Sequence, residues 1–164
     1  MRTIRKFIFL AVFSFVSNNL MHAQTTETKL NQIELMKQFV GNWKCDLGTD
    51  TTIVGENIAF ETGLVCNSRI IVKGKVINTV KQLYGYDKKD DKFIIAELIE
   101  SSLIIEICQA WFTSETTGEL IVVNPDNVTI KYKFEFRTPD LIIQTAMQDN
   151  KIVKEIVISH IKEN

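Results

Sequence analysis

The chain has 164 residues, 45% of them hydrophobic, with 19 Lys and Arg set against 20 Asp and Glu. That length suits a single domain. The near-balanced charge, with no long basic block, argues against nucleic acid or an anionic membrane as partner, since both demand a positive field.

Residues 1–23 read as an export signal. Arg2, Arg5 and Lys6 form a basic leader, and Phe7 to Val16 an apolar run shorter than the about 20 residues of a membrane span. Ser17 to Ala23 is small and polar, which places cleavage near Ala23 and the protein in the periplasm or outside the cell. The mature chain, 24–164, then carries 16 basic and 20 acidic side chains, a net charge of −4, and no integral membrane span. Cys45, Cys66 and Cys108 are its cysteines. Their spacing fits no zinc pattern, and Cys66 and Cys108 sit in apolar runs, so buried thiols are favoured over one bridge plus a free thiol.

Leu30, Ile33, Met36 and Phe39 recur at helical spacing, which predicts a short helix over 28–39 with Thr28 as N-cap and Gly41 as stop. From Asn42 onward the chain is rich in Ile, Val, Thr, Phe and Tyr, and turn residues punctuate it at short intervals. Strands are expected near 42–48, 51–61, 64–73, 76–86, 92–100, 103–113, 118–123, 127–137, 140–148 and 151–161. With no room for crossover helices these make an antiparallel meander. Val128, Ile130, Tyr132, Phe134 and Phe136 alternate with Thr129, Lys131, Lys133, Glu135 and Arg137, the pattern of a wall with one buried and one wet face. The last strand alternates less cleanly. The fold class expected is all-β: an up-and-down barrel of about ten strands with a short N-terminal helix, closed because closure removes exposed sheet edges.

Gly41-Asn42-Trp43, preceded by a helix and followed by a meander, resembles the lipocalin-like (calycin) superfamily. Leu83-Tyr84-Gly85-Tyr86-Asp87, with a charged turn and Lys92-Phe93-Ile94 behind it, is similar to a Gly-Tyr-Asp signature in a group of exported bacterial lipocalin-like proteins of unknown function. Gly55-Glu56, Gly118 and the run Asp149 to Glu155 are similar to the same group. The glycine-rich segment usual between the second and third strands is reduced to Gly63-Leu64-Val65. The resemblance spans about residues 34–161 and implies a barrel pocket for a small, mostly apolar molecule, with no catalytic residues. It implies that Trp43 plugs one barrel end, often beneath an Arg from a late strand. Arg137 is a candidate for that partner, although its alternation with Phe136 places it outside.

Catalytic motifs are missing: there is no Gly-x-Ser-x-Gly, Ser-x-x-Lys, phosphate-binding loop or His-Glu-x-x-His. The mature chain has one histidine, His160, expected to end the last strand in solvent. The cofactor is left unknown, haem through His160 being one option. No metal ligand set is assigned. Among strand carboxylates, Glu97 shares a face with Phe93, Ile95 and Ile99 and is the better candidate for the lumen. Glu106 is expected to point outward, because Leu103, Ile105, Ile107, Gln109 and Trp111 form the bulkier face of their strand. Tyr84, Tyr86, Glu97, Gln109, Trp111 and Tyr132 are therefore the candidate ligand contacts, each able to set a polar tip in an apolar pocket. Asn127-Val128-Thr129 matches a glycosylation acceptor but reads more simply as a turn.

The expected function is an exported barrel that binds a small hydrophobic or amphipathic molecule without covalent chemistry. One alternative is an isomerase- or cyclase-type enzyme that uses Glu97 with Tyr84 or Tyr132 on a lipid-like substrate. Another is an accessory interaction protein with a filled barrel.

Overall fold

The structure, a computed structural model, describes residues 29–123, 131–149 and 151–162. The signal segment, Thr28, the Asn127 triplet, Val128 and Ile130 lie outside the described residues. The alternating runs form ten strands: β1 (Gly41–Asp46), β2 (Thr51–Phe60), β3 (Gly63–Val72), β4 (Lys75–Asp87), β5 (Lys92–Ile99), β6 (Ile105–Phe112), β7 (Thr117–Val122), β8 (Lys131–Thr138), β9 (Leu141–Gln148) and β10 (Lys151–His160). Each pairs antiparallel with its chain neighbours. β1 also pairs with β10, through Trp43 opposite His160 and Cys45 opposite Ile158, so the sheet closes into a barrel with no free edge. β6 starts later than expected, because Ser101 to Ile104 is spent on a loop in which Ser102 Oγ accepts from the Ile104 amide at 3.2 Å.

The helix, α1 (Gln32–Met36), runs into a single 3₁₀ turn over Lys37–Phe39. Its N-cap is Asn31, whose Oδ1 accepts from the Glu34 amide at 3.3 Å. Val40 is already extended and breaks the helical run, and Gly41 follows at φ +121°, a conformation open chiefly to glycine. The segment closes one end of the barrel. Phe39 packs against Phe112, Phe134 and Phe136, with ring centroids 6.0, 5.3 and 4.9 Å away. The Phe39 carbonyl, exposed by the end of the helix, accepts from Trp43 Nε1 at 2.7 Å and from Asn57 Nδ2 at 2.8 Å. Buried Gln32 donates to the Phe112 carbonyl at 2.9 Å and accepts from the Phe112 amide at 2.8 Å. The β5–β6 register ends at Phe93 opposite Ala110, so Gln32 serves backbone groups that β5 does not reach.

Faces follow the period of two. Tyr132, Phe134 and Phe136 point inward on β8, while Lys131 and Arg137 pair with acids outside, at 2.6 Å to Glu119 and 3.0 Å to Glu135. Arg137 therefore does not stack on Trp43. The β6 assignment is reversed from expectation. Cys108, Ala110 and Phe112 are buried, and Glu106 shares their face, so Ile105, Ile107, Gln109 and Trp111 look outward. The bulky set misled because the outer wall here is apolar as well: Ile58, Leu83, Leu98 and Ile105 are all exposed. On β10 a bulge between Ile152 and Lys154 sets Ile152 opposite Met147 and Lys154 opposite Ala146, which accounts for the blurred alternation.

Candidate functional site: the barrel lumen

The lumen holds a cavity of about 540 Å³. Its wall is mostly apolar, with Ile53, Ile70, Val80, Ile95, Ile142 and Ile156 among the lining residues. Trp43, Met36 and Phe39 close it at the helix end, where Trp43 is only 6% exposed. That volume falls within the range of small-molecule pockets, about 300–1,000 Å³.

Polar groups line the lumen from several strands, Gln144 on β9 and Lys154 on β10 among them, and strand register gathers one connected set on β3 to β6. Cys66 lies opposite Gln82, Gln82 opposite Glu97, and Glu97 opposite Glu106, so four side chains line up across β3 to β6. The adjacent inward row carries Leu64, Tyr84, Ile95 and Cys108. A directed hydrogen-bond chain joins the two rows. The Tyr84 hydroxyl donates to Gln82 Oε1 at 2.8 Å, and Gln82 Nε2 donates to Glu97 Oε2. Since Glu97 accepts, the Gln82 amide nitrogen must face it, and that leaves the amide oxygen for Tyr84.

The surroundings keep the neutral acids neutral. Burial pushes the Cys66 thiol up to about 11, opposed by a bond to Ser68 and reinforced by the Glu97 charge. Burial likewise raises Cys108 to about 11, with Glu97 and Glu106 adding to it. Tyr84 is raised by burial first, then by Cys66, Glu97 and Cys108 nearby, and Tyr132 by burial first, then by Cys108, Glu106 and Glu97. Cys45 is raised by burial and Asp46, and lowered by Lys154 on the facing strand region. All three cysteines are buried and free. Such thiols are poor nucleophiles.

Of the residues singled out from sequence, Tyr84, Glu97 and Tyr132 line the cavity and belong to one neighbourhood. Tyr86 does not join them. It packs on Phe93 at the helix end, with ring centroids 5.4 Å apart, and its hydroxyl donates to Asp91, which also holds Lys29 at 3.2 Å. The Gly85-Tyr86-Asp87 signature thus builds a turn, in which Asp87 Oδ1 accepts from the Lys89 amide at 2.9 Å. Gln109 and Trp111 are on the outer wall, where Lys92 Nζ sits 4.2 Å from the Trp111 ring centre. His160 does not end in solvent. Its ring is half-buried edge-on to Trp43, and it does not line the cavity. Sequence reasoning passed over Gln82 and Gln32. A glutamine carries no signal of its own, and only register shows that Gln82 bridges Tyr84 and Glu97.

Among the described residues no group of three or more His, Cys, Asp or Glu is placed to hold a metal ion, and no helix is long and apolar enough to cross a membrane. The fold and cavity define a closed ten-stranded antiparallel barrel with a hollow, largely apolar lumen. Compared with protein-family models, curated proteins and solved structures, the chain matches none.

Proposed function

We propose that this chain is an exported, lipocalin-like barrel that holds a small hydrophobic or amphipathic molecule in its lumen and does no covalent chemistry on it. The observation that carries the reading is the cavity of about 540 Å³, walled by aliphatic side chains with a few convergent polar groups. Export rests on the basic leader, apolar run and small-residue boundary of residues 1–23. The lipocalin-like assignment rests on Gly41-Asn42-Trp43 and the closed meander that follows it. A hollow lumen favours this over the accessory protein with a filled barrel.

An enzymatic reading has one specific observation in its favour, the Tyr84–Gln82–Glu97 chain inside the cavity. Its weakness is chemical. The tyrosine meets the carboxylate only through an amide, and an amide is a poor proton carrier at neutral pH.

The test is binding of a neutral, environment-sensitive apolar dye, together with native mass spectrometry of protein from its own host. Saturable binding at one site is expected. It should be lost in Ala146→Phe, which projects a ring into the cavity, while the β-sheet circular dichroism persists. Failure of the natural protein to bind any apolar probe or retain any small molecule would overturn the proposal.

A further inference from the structure

The connected polar groups on β4 and β5 have a single hydrogen-bonding sense. Tyr84 donates to Gln82 and Gln82 donates to Glu97, so the chain runs one way and ends on a carboxylate. Glu97 keeps acceptor capacity beyond that one bond, because the two oxygens of a carboxyl group offer several lone-pair sites. Glu106 lies directly opposite Glu97 on the same inward face. Among the described residues neither is in an ion pair, although seven other ion pairs are formed in this chain. Two cations also line the cavity: Lys44, paired with Asp46 at 3.0 Å, and Lys154 on β10, which is near enough to Cys45 to lower its pKa. Every other titratable neighbour of Glu97 in the lumen is a thiol or phenol, and burial keeps each of these neutral.

Resting on the reading of the lumen as a binding cavity, we propose that it selects an amphiphile with a cationic, hydrogen-bond-donating head, an alkylammonium, whose head sits at Glu97 and whose tail fills the aliphatic cavity. Three physical arguments converge. Glu97 lines an apolar cavity with a hydrogen-bond donor, Gln82, but no countercharge, and an ammonium supplies both countercharge and further donors. A carboxylate head would face two like charges on adjacent strands. The rings of Tyr84 and Tyr132 line the same cavity, and their faces attract a cation and not an anion. A bare hydrocarbon would gain nothing from Glu97.

The test compares dodecylamine, dodecanol and dodecanoic acid, which share one tail and differ in head charge at neutral pH. Each is titrated below its micelle concentration into the mature protein and followed by tryptophan fluorescence, with Trp111→Phe used to isolate the signal of Trp43 at the cavity wall. The amine is expected to bind at least about tenfold tighter than the acid, the scale of a charge-assisted hydrogen bond. In Glu97→Gln, with folding checked by circular dichroism, the amine-to-acid ratio should fall toward one. An acid that binds as tightly as the amine to the natural protein overturns the head-group proposal whether or not the variant folds, as does a ratio that survives Glu97→Gln. If alcohol, amine and acid bind equally, the cavity reading stands and the head-group proposal fails. If none binds, both fall.

Discussion

Trp43 and His160 meet edge to face across the seam between the first and last strands, with ring centroids 4.9 Å apart and planes at 88°. The contact links closure of the sheet to closure of the barrel end. The same indole donates to the Phe39 carbonyl and lies 6.4 Å from Phe136, so helix, seam and aromatic floor share one side chain. Trp43→Ala is expected to cost about 3–5 kcal/mol, the range for removing a large buried aromatic. Guanidinium unfolding followed by circular dichroism measures it, and a midpoint unchanged from the natural protein would remove Trp43 from the core.

Gly41 stands beside this pair at φ +121°, and a Cβ added there would collide with the His160 imidazole. Gly41→Ala therefore carries backbone strain of about 1–3 kcal/mol plus a steric clash. Adding His160→Ala should recover the clash but not the strain. A double-mutant cycle is expected to show coupling of about 0.5–3 kcal/mol. Strictly additive losses would mean that the ring gives way freely.

Gln32 is the polar residue buried under the helix, 6% exposed, and both ends of its amide bond to Phe112 backbone. Gln32→Leu keeps the bulk and abandons two buried backbone groups, at about 1–3 kcal/mol each. Amide exchange at Phe112 should accelerate in the variant. Unaltered protection there would show that the helix does not hold that strand edge.

Alkaline pH should loosen the fold within a defined window. The Cys66 and Cys108 thiols are raised from 9.0 to about 11 in the folded state, so the native protein holds protons that the unfolded chain sheds. Their contribution is fully present below pH 9 and is lost as pH rises toward 11. Urea midpoints measured across that window should fall, and fall less in the Cys66→Ala, Cys108→Ala double variant. Identical slopes would assign the loss to other groups, such as the raised Tyr84 and Tyr132.

Much of the wall was legible in the residues. β8 shows why: Tyr132, Phe134 and Phe136 are apolar, Lys131, Lys133, Glu135 and Arg137 are charged, and a period of two leaves one arrangement. β6 was read inside out because both its faces are apolar. Pairing of Ile95 with Cys108 and Phe93 with Ala110 then selected the small, partly polar face for the interior. Glu97 was legible as a lumen candidate, since Phe93 and Ile95 on its own face are buried. Its link to Tyr84 was not, because that runs through a residue fifteen positions away in the chain.

By itself the sequence determined the number and alternation of strands, the helix before them and the antiparallel order, because each depends on neighbours within a few residues. Tertiary structure alone decided the seam at Trp43 and His160, the inward turn of Glu106, the outward turn of Trp111, and the row that brings Cys66, Gln82, Glu97 and Glu106 together. Those depend on register between strands, and a slip of a single residue would turn every one of these side chains to the other face.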